Sequence, residues 1–123
     1  MIEVSNERFQ QLIDEALGEM PKTHLENLKN VAILYEDEPS IEQRQKLRLR
    51  QNQTLLGLYE GVPLAERQGQ NTFLPDRITL FKRPICWASH DLASLKEQIK
   101  HTLWHEIAHY YGLDHSQIRD LES

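Results

Sequence analysis

The sequence predicts an α+β domain in which a small sheet packs against an N-terminal helix and a long helix further along. Three observations carry that expectation. Apolar residues recur at three- and four-residue intervals between Phe9 and Met20, three short β-rich runs follow, and a second helical stripe extends from Leu92 to Ala108. Segments of this kind bury their apolar faces by laying helices on a sheet.

In the first helix Phe9, Leu12, Ile13, Ala16, Leu17 and Met20 share one face. Ser5 or Asn6 can cap its start, and Pro21 sits just past its end. Val31-Ala32-Ile33-Leu34-Tyr35 reads as a strand. Residues 37–53 are polar and include Pro39, which predicts a long loop with a helical turn after Ser40. Thr54-Leu55-Leu56-Gly57-Leu58-Tyr59 predicts a second strand, ended by Gly61 and Pro63. Residues 65–76 are loop by composition, and Arg77-Ile78-Thr79-Leu80-Phe81-Lys82 alternates polar and apolar as a half-buried strand does. After Pro84 the pattern turns helical. Asp91 is the expected N-cap, Leu92, Leu95, Ile99, Leu103, Ile107 and Ala108 supply the apolar stripe, and Gly112 is the expected stop. A last short helix is expected from Ser116 to Glu122.

A chain of 123 residues points to a single domain over 1–123 with one modest core. The apolar share of 39% and charged share of 27% are ordinary for a soluble globular protein. No apolar run approaches a membrane span, so no membrane partner is expected. The segment Met1 to Glu7 lacks the basic and apolar regions of a signal peptide. One cysteine, Cys86, allows no internal disulfide, and a cytoplasmic setting follows as the expectation. The net charge of −5 argues against a nucleic-acid partner. A basic patch is conceivable at Arg44-Gln45-Lys46-Leu47-Arg48-Leu49-Arg50, although such a run is ordinarily a solvated face.

The long helix ends in His105-Glu106-Ile107-Ala108-His109-Tyr110-Tyr111-Gly112-Leu113-Asp114-His115. Residues four apart lie one turn above another on the same helix face. Two imidazoles so placed, His105 and His109, can reach one zinc ion at about 2.0–2.1 Å. Glu106 points to one side of the first ligand, where a carboxylate can act as general base toward water on the metal. Catalytic zinc sites mostly use three protein ligands and leave one position open. A glutamate on a further helix would need more chain than remains after His109. Gly112 can turn the chain sharply and bring Leu113-Asp114-His115 back toward the ion. His115 falls at the third-ligand position of the long HExxHxxGxxH pattern and is the expected third ligand, with Asp114 as the alternative.

His101 continues the same spacing, but three turns span about 12 Å, so one ion cannot take His101, His105 and His109 together. The pair His101 and His105 has Thr102 where the base should stand, and His101 is read as a surface or supporting residue. His24 and His90 are lone histidines, read as structural or exposed.

With these residues in place, the chain resembles the small bacterial zincin-like metallopeptidase family, minimal zincins of about this length. The resemblance rests on Leu56-Gly57-Leu58-Tyr59-Glu60-Gly61-Val62-Pro63-Leu64, on Leu74-Pro75-Asp76-Arg77-Ile78-Thr79-Leu80, and on His105 through Gly112. It implies a cytoplasmic bacterial protein with a compact zincin core, one zinc ion and peptidase activity. Members commonly carry an acidic residue at the third-ligand position, where this chain has His115. That brings the local pattern nearer to metzincins, but no methionine follows His115, so their Met-turn is absent.

The function expected from residues and resemblance together is zinc-dependent hydrolysis of peptide bonds, with Glu106 as general base. The alternative is a zinc-binding module of the same fold that binds a partner or senses metal. Glu106 favours catalysis, because a structural zinc needs no base. Peptides or unfolded proteins are the expected substrates, paired by strand addition to an exposed edge at Arg77–Lys82. Tyr59 is read as a strand residue packed on the active helix. Tyr110 and Tyr111 adjoin the site and are read as packing residues before oxyanion stabilisers.

Overall fold

The computed structural model describes residues 1–26, 28, 30–61 and 76–113. The expected α+β arrangement is present. Helices α1 (Asn6–Glu19), α2 (Lys22–Leu25), α3 (Ile41–Lys46), α4 (Lys82–Trp87) and α5 (Leu92–Tyr110) accompany strands β1 (Val31–Glu36), β2 (Gly57–Glu60) and β3 (Asp76–Phe81).

Ser5 is the N-cap of α1: its Oγ accepts the N–H of Arg8 at 3.1 Å, which satisfies one donor left over at the helix start. The helix ends at Glu19, with Met20 as C-cap just before Pro21, and Phe9, Leu12, Ile13 and Ala16 face inward. The helical turn expected after Ser40 is a six-residue helix, α3. Its start is doubly tied, since Gln43 N–H reaches Ser40 Oγ at 3.0 Å and Ser40 N–H reaches Gln43 Oε1 at 2.8 Å. Asp91 caps α5 in the same way through Ser94. Two short helices, α2 and α4, were not expected as separate elements, being too short to show a helical period. Helix α4 starts at Lys82, where a strand end was expected, because Pro84 is tolerated in a first turn whose N–H groups have no helical partners.

The sheet has the order β1-β3-β2, with β1 parallel and β2 antiparallel to β3. This corrects the expectation of an exposed edge at Arg77–Lys82. Strand β3 is central, paired on both sides, and Ile78, Leu80 and Phe81 are fully buried. Its alternation breaks because Thr79 is buried as well, so only Arg77 of the strand is exposed. Among the described residues the free edges belong to β1 and β2. Residue Leu56 accepts the N–H of Phe81 at 2.8 Å, so even-numbered positions on this strand face β3. Alternation then turns the backbone groups of Gly57 and Tyr59 outward.

The core joins Phe9, Leu12 and Ile13 of α1, Ile78 and Leu80 of β3, Ile85 of α4, and Leu95, Ile99, Leu103 and Ile107 of α5. Helix α5 therefore has one face locked against α1 and the sheet, which fixes the rotation of its last two turns. Cys86 is buried among these residues, and that burial pushes its thiol pKa up. Among the described residues no helix is long and apolar enough to cross a membrane. Residues 116–122, where a final helix was expected, and most of the expected loop at 65–76 lie outside the described residues.

Candidate metal centre

The last turns of α5 bring together His105, Glu106 and His109, whose ligand atoms lie within 4.8 Å of one another. The two imidazole rings are 4.9 Å apart, centroid to centroid, at an interplanar angle of 76°. Both are half-buried, whereas Glu106 is only 8% exposed.

The helix ends as its glycine required. Gly112 has φ of 82°, a conformation side chains disfavour, and its N–H bonds to His109 O at 2.9 Å. Leu113 N–H closes on Ala108 O at 3.1 Å, which completes a Schellman stop. The chain thus turns immediately after the second histidine. His115 and Asp114, the two residues considered for the third ligand, lie outside the described residues.

What the sequence reading missed is how closely β2 approaches this helix. A Cβ on Gly57 would lie 2.6 Å from Thr102 Cγ2 and 3.3 Å from Glu106 Cγ. Only glycine lets the strand sit there, and a glycine inside a strand is the sequence signal of such an approach. The outward N–H of Tyr59 donates to the Glu106 carboxylate. The Tyr59 side chain is anchored in turn. Its hydroxyl donates to Asp76 Oδ2 at 2.7 Å, and its ring meets Tyr110 edge-on at 6.1 Å. The packing role expected for Tyr59 holds, and its backbone adds a contact to the site that no side-chain pattern could reveal. Leu58, Tyr59, Glu106 and His109 line an open cleft of about 240 Å³.

Burial raises the pKa of Glu106 to about 7, against the opposing effect of the Tyr59 N–H. In the metal-free protein the folded state therefore holds a proton on Glu106 that the unfolded chain, near 4.5, has lost. The stability this proton confers is full below about pH 4.5 and is lost as pH rises through about 7. The difference is worth about 3 kcal/mol. Urea unfolding of chelator-treated protein at pH 5 and pH 8 should show the loss, and Glu106→Gln should abolish it.

The other histidines are elsewhere. His101 is exposed one turn back, its ring 6.2 Å from that of His105. His24 stacks on the half-buried Trp104 at 4.2 Å, and His90 is on the surface beside Asp91. Tyr110 is core, 1% exposed. Tyr111 donates its hydroxyl to His24 O at 2.7 Å.

A helix carrying two histidines and a buried glutamate, stopped by a glycine and flanked by an edge strand, has a counterpart among known proteins. The family model described as "Zincin-like metallopeptidase" matches residues 28–123. The chain belongs to the zincin-like metallopeptidase family. This zincin-like chain is also similar in structure to a conserved hypothetical protein from T. thermophilus. The TM-score is 0.58 at 19% identity, over 88% of this chain and 94% of that one, a likeness of fold. No curated protein matches this chain.

The family implies zinc, and the donor set suits it. The imidazoles of His105 and His109 are zinc ligands by type, and the Glu106 carboxylate is grouped closely with them, so the cluster could hold a metal ion.

Proposed function

We propose that this protein is a zinc-dependent peptidase that hydrolyses peptide bonds in peptides or unfolded protein segments of the cytoplasm. One observation carries the reading: Glu106, a buried carboxylate, stands between the two histidines and the edge strand and opens onto the cleft at Leu58 and Tyr59. A residue holding metal for folding alone would need no such opening.

His105 and His109 would hold the ion, with His115 as the third ligand. Zinc so held would make water a nucleophile near neutral pH and would polarise the scissile carbonyl. Glu106 takes the proton from the attacking water and passes it to the leaving amine. The Tyr59 N–H holds the carboxylate in one orientation, and the Asp76 carboxylate holds Tyr59. The substrate backbone lies along the outer edge of β2 and pairs with the backbone groups there that Glu106 does not occupy, which takes the place of the β3 edge expected from the sequence. The test is cleavage of a peptide library by zinc-loaded protein, compared with Glu106→Gln.

A further inference from the structure

The run Arg44–Arg50 places four cations, Arg44, Lys46, Arg48 and Arg50, in seven positions of a chain whose net charge is −5. The peptidase mechanism makes no use of them. Elsewhere cations sit near acids, as Arg77 does with Glu60, Arg83 with Glu38 and Lys100 with Glu19. Among the described residues none of the four in this run forms an ion pair. The run is nonetheless built rather than loose. The Arg44 guanidinium donates to Arg50 O at 2.6 Å, Leu49 N–H bonds to Arg44 O at 2.9 Å, and Arg50 N–H bonds to Gln53 Oε1 at 2.9 Å.

Its position is the second observation. Gln43 at the start of this segment donates to Glu60 Oε1 at 3.1 Å, which fastens α3 to β2. Gln43, Lys46 and Leu47 form one wall of a groove of about 140 Å³ whose other wall is Leu58 to Gly61. Leu58 and Tyr59 belong both to this groove and to the cleft at Glu106 and His109. Groove and cleft are therefore two stretches of the same edge strand. The acid that lines the groove, Glu60, is already satisfied by Gln43 and by Arg77 at 3.5 Å. The lining thus offers Leu47, Leu58 and one cation, Lys46, and the cations that follow it in the chain, Arg48 and Arg50, form no ion pair among the described residues.

We propose that this groove selects acidic peptides. An extended peptide that runs along β2 from the cleft into the groove carries its side chains past Lys46, where an Asp or Glu meets a cation. Further acids on that side meet Arg48 and Arg50. The exposed edge of β2 and the walls of Leu47 and Leu58 suit a peptide backbone with side chains, which is why a peptide is favoured over a nucleic acid for these cations. For cleavage the assignment rests on the peptidase reading; for binding it does not.

The test uses the full-length, zinc-loaded protein and two peptide libraries of equal length, one with Asp and Glu at varied distances from the centre and one with Lys and Arg. Binding of a fluorescein-labelled acidic decapeptide to Glu106→Gln is measured in parallel by anisotropy. Individual exposed ion pairs are weak, so three cations acting together should give about a tenfold preference in kcat/KM for acidic peptides, fading with added salt. Lys46→Glu/Arg48→Glu should erase it, and so should Lys46→Gln/Arg48→Gln, which places no acid at the end of α3. Lys96→Glu, the same reversal outside the groove, should leave it in place. Cleavage without charge preference would overturn the proposal, as would a preference that survives both double variants. Tighter binding of an RNA oligonucleotide than of the acidic peptide, or no binding of the acidic peptide, would overturn it too. If no peptide is cleaved, yet the acidic peptide binds and the double variants abolish that binding, the groove assignment stands and the peptidase reading falls.

Discussion

Glu106→Gln should lower peptide cleavage by roughly 10²–10⁴-fold, the usual contribution of a positioned general base. Glutamine keeps the shape of the side chain and can still accept the Tyr59 N–H through its amide oxygen, but it cannot take a proton from water. Bound zinc should change little, because His105 and His109 remain. Stability at pH 8 should rise in the metal-free protein, because a neutral amide escapes the penalty of burying a charge at a position only 8% exposed. The combination separates a catalytic role from a structural one: activity falls while fold and metal persist. Equal cleavage by parent and variant, or none by either with zinc bound, would end the peptidase reading.

Gly57→Ala should be damaging although it adds a single methyl group. The added carbon would meet Thr102 Cγ2 at 2.6 Å, and Thr102 is β-branched and buried on α5, with little freedom to rotate away. Strand or helix must move, at a cost of about 1–3 kcal/mol. Because Glu106 Cγ is the next neighbour at 3.3 Å, the same movement displaces the base from the Tyr59 N–H. Melting temperature and kcat should fall together. Thr102→Ala makes room for the new methyl and also removes a buried hydroxyl that has no hydrogen-bond partner among the described residues. The double variant should therefore recover much of the stability lost by Gly57→Ala, and additive losses would show that the contact is not the cause.

The elements with a strong local signal were legible in the sequence. Helix α1 and helix α5 announce themselves through apolar periodicity, Asp91 through its capping position, and Gly112 through its place after the last periodic residue. The juxtaposition of His105 and His109 was legible because helix geometry alone brings positions 105 and 109 to one face. What failed was what depends on tertiary pairing. The strand from Asp76 to Phe81 alternates enough to look half-buried, yet its place in the sheet depends on β1 and β2 arriving on either side. A single chain segment carries no signal for that. The Tyr59 amide was illegible for a related reason: every residue but proline has an N–H, and only the fold decides which one faces Glu106. Gly57 lay between the two cases, visible as a glycine in a strand but without a partner to explain it.

The most direct test of a zinc centre on α5 is the metal content of protein purified without added zinc. One zinc per chain is predicted for the parent and for Glu106→Gln, with loss in His105→Ala and His109→Ala. Separate replacement of His115 and Asp114 by Ala should show the greater loss of zinc affinity at His115. Sub-stoichiometric metal that a chelator strips without loss of fold or function would contradict the assignment.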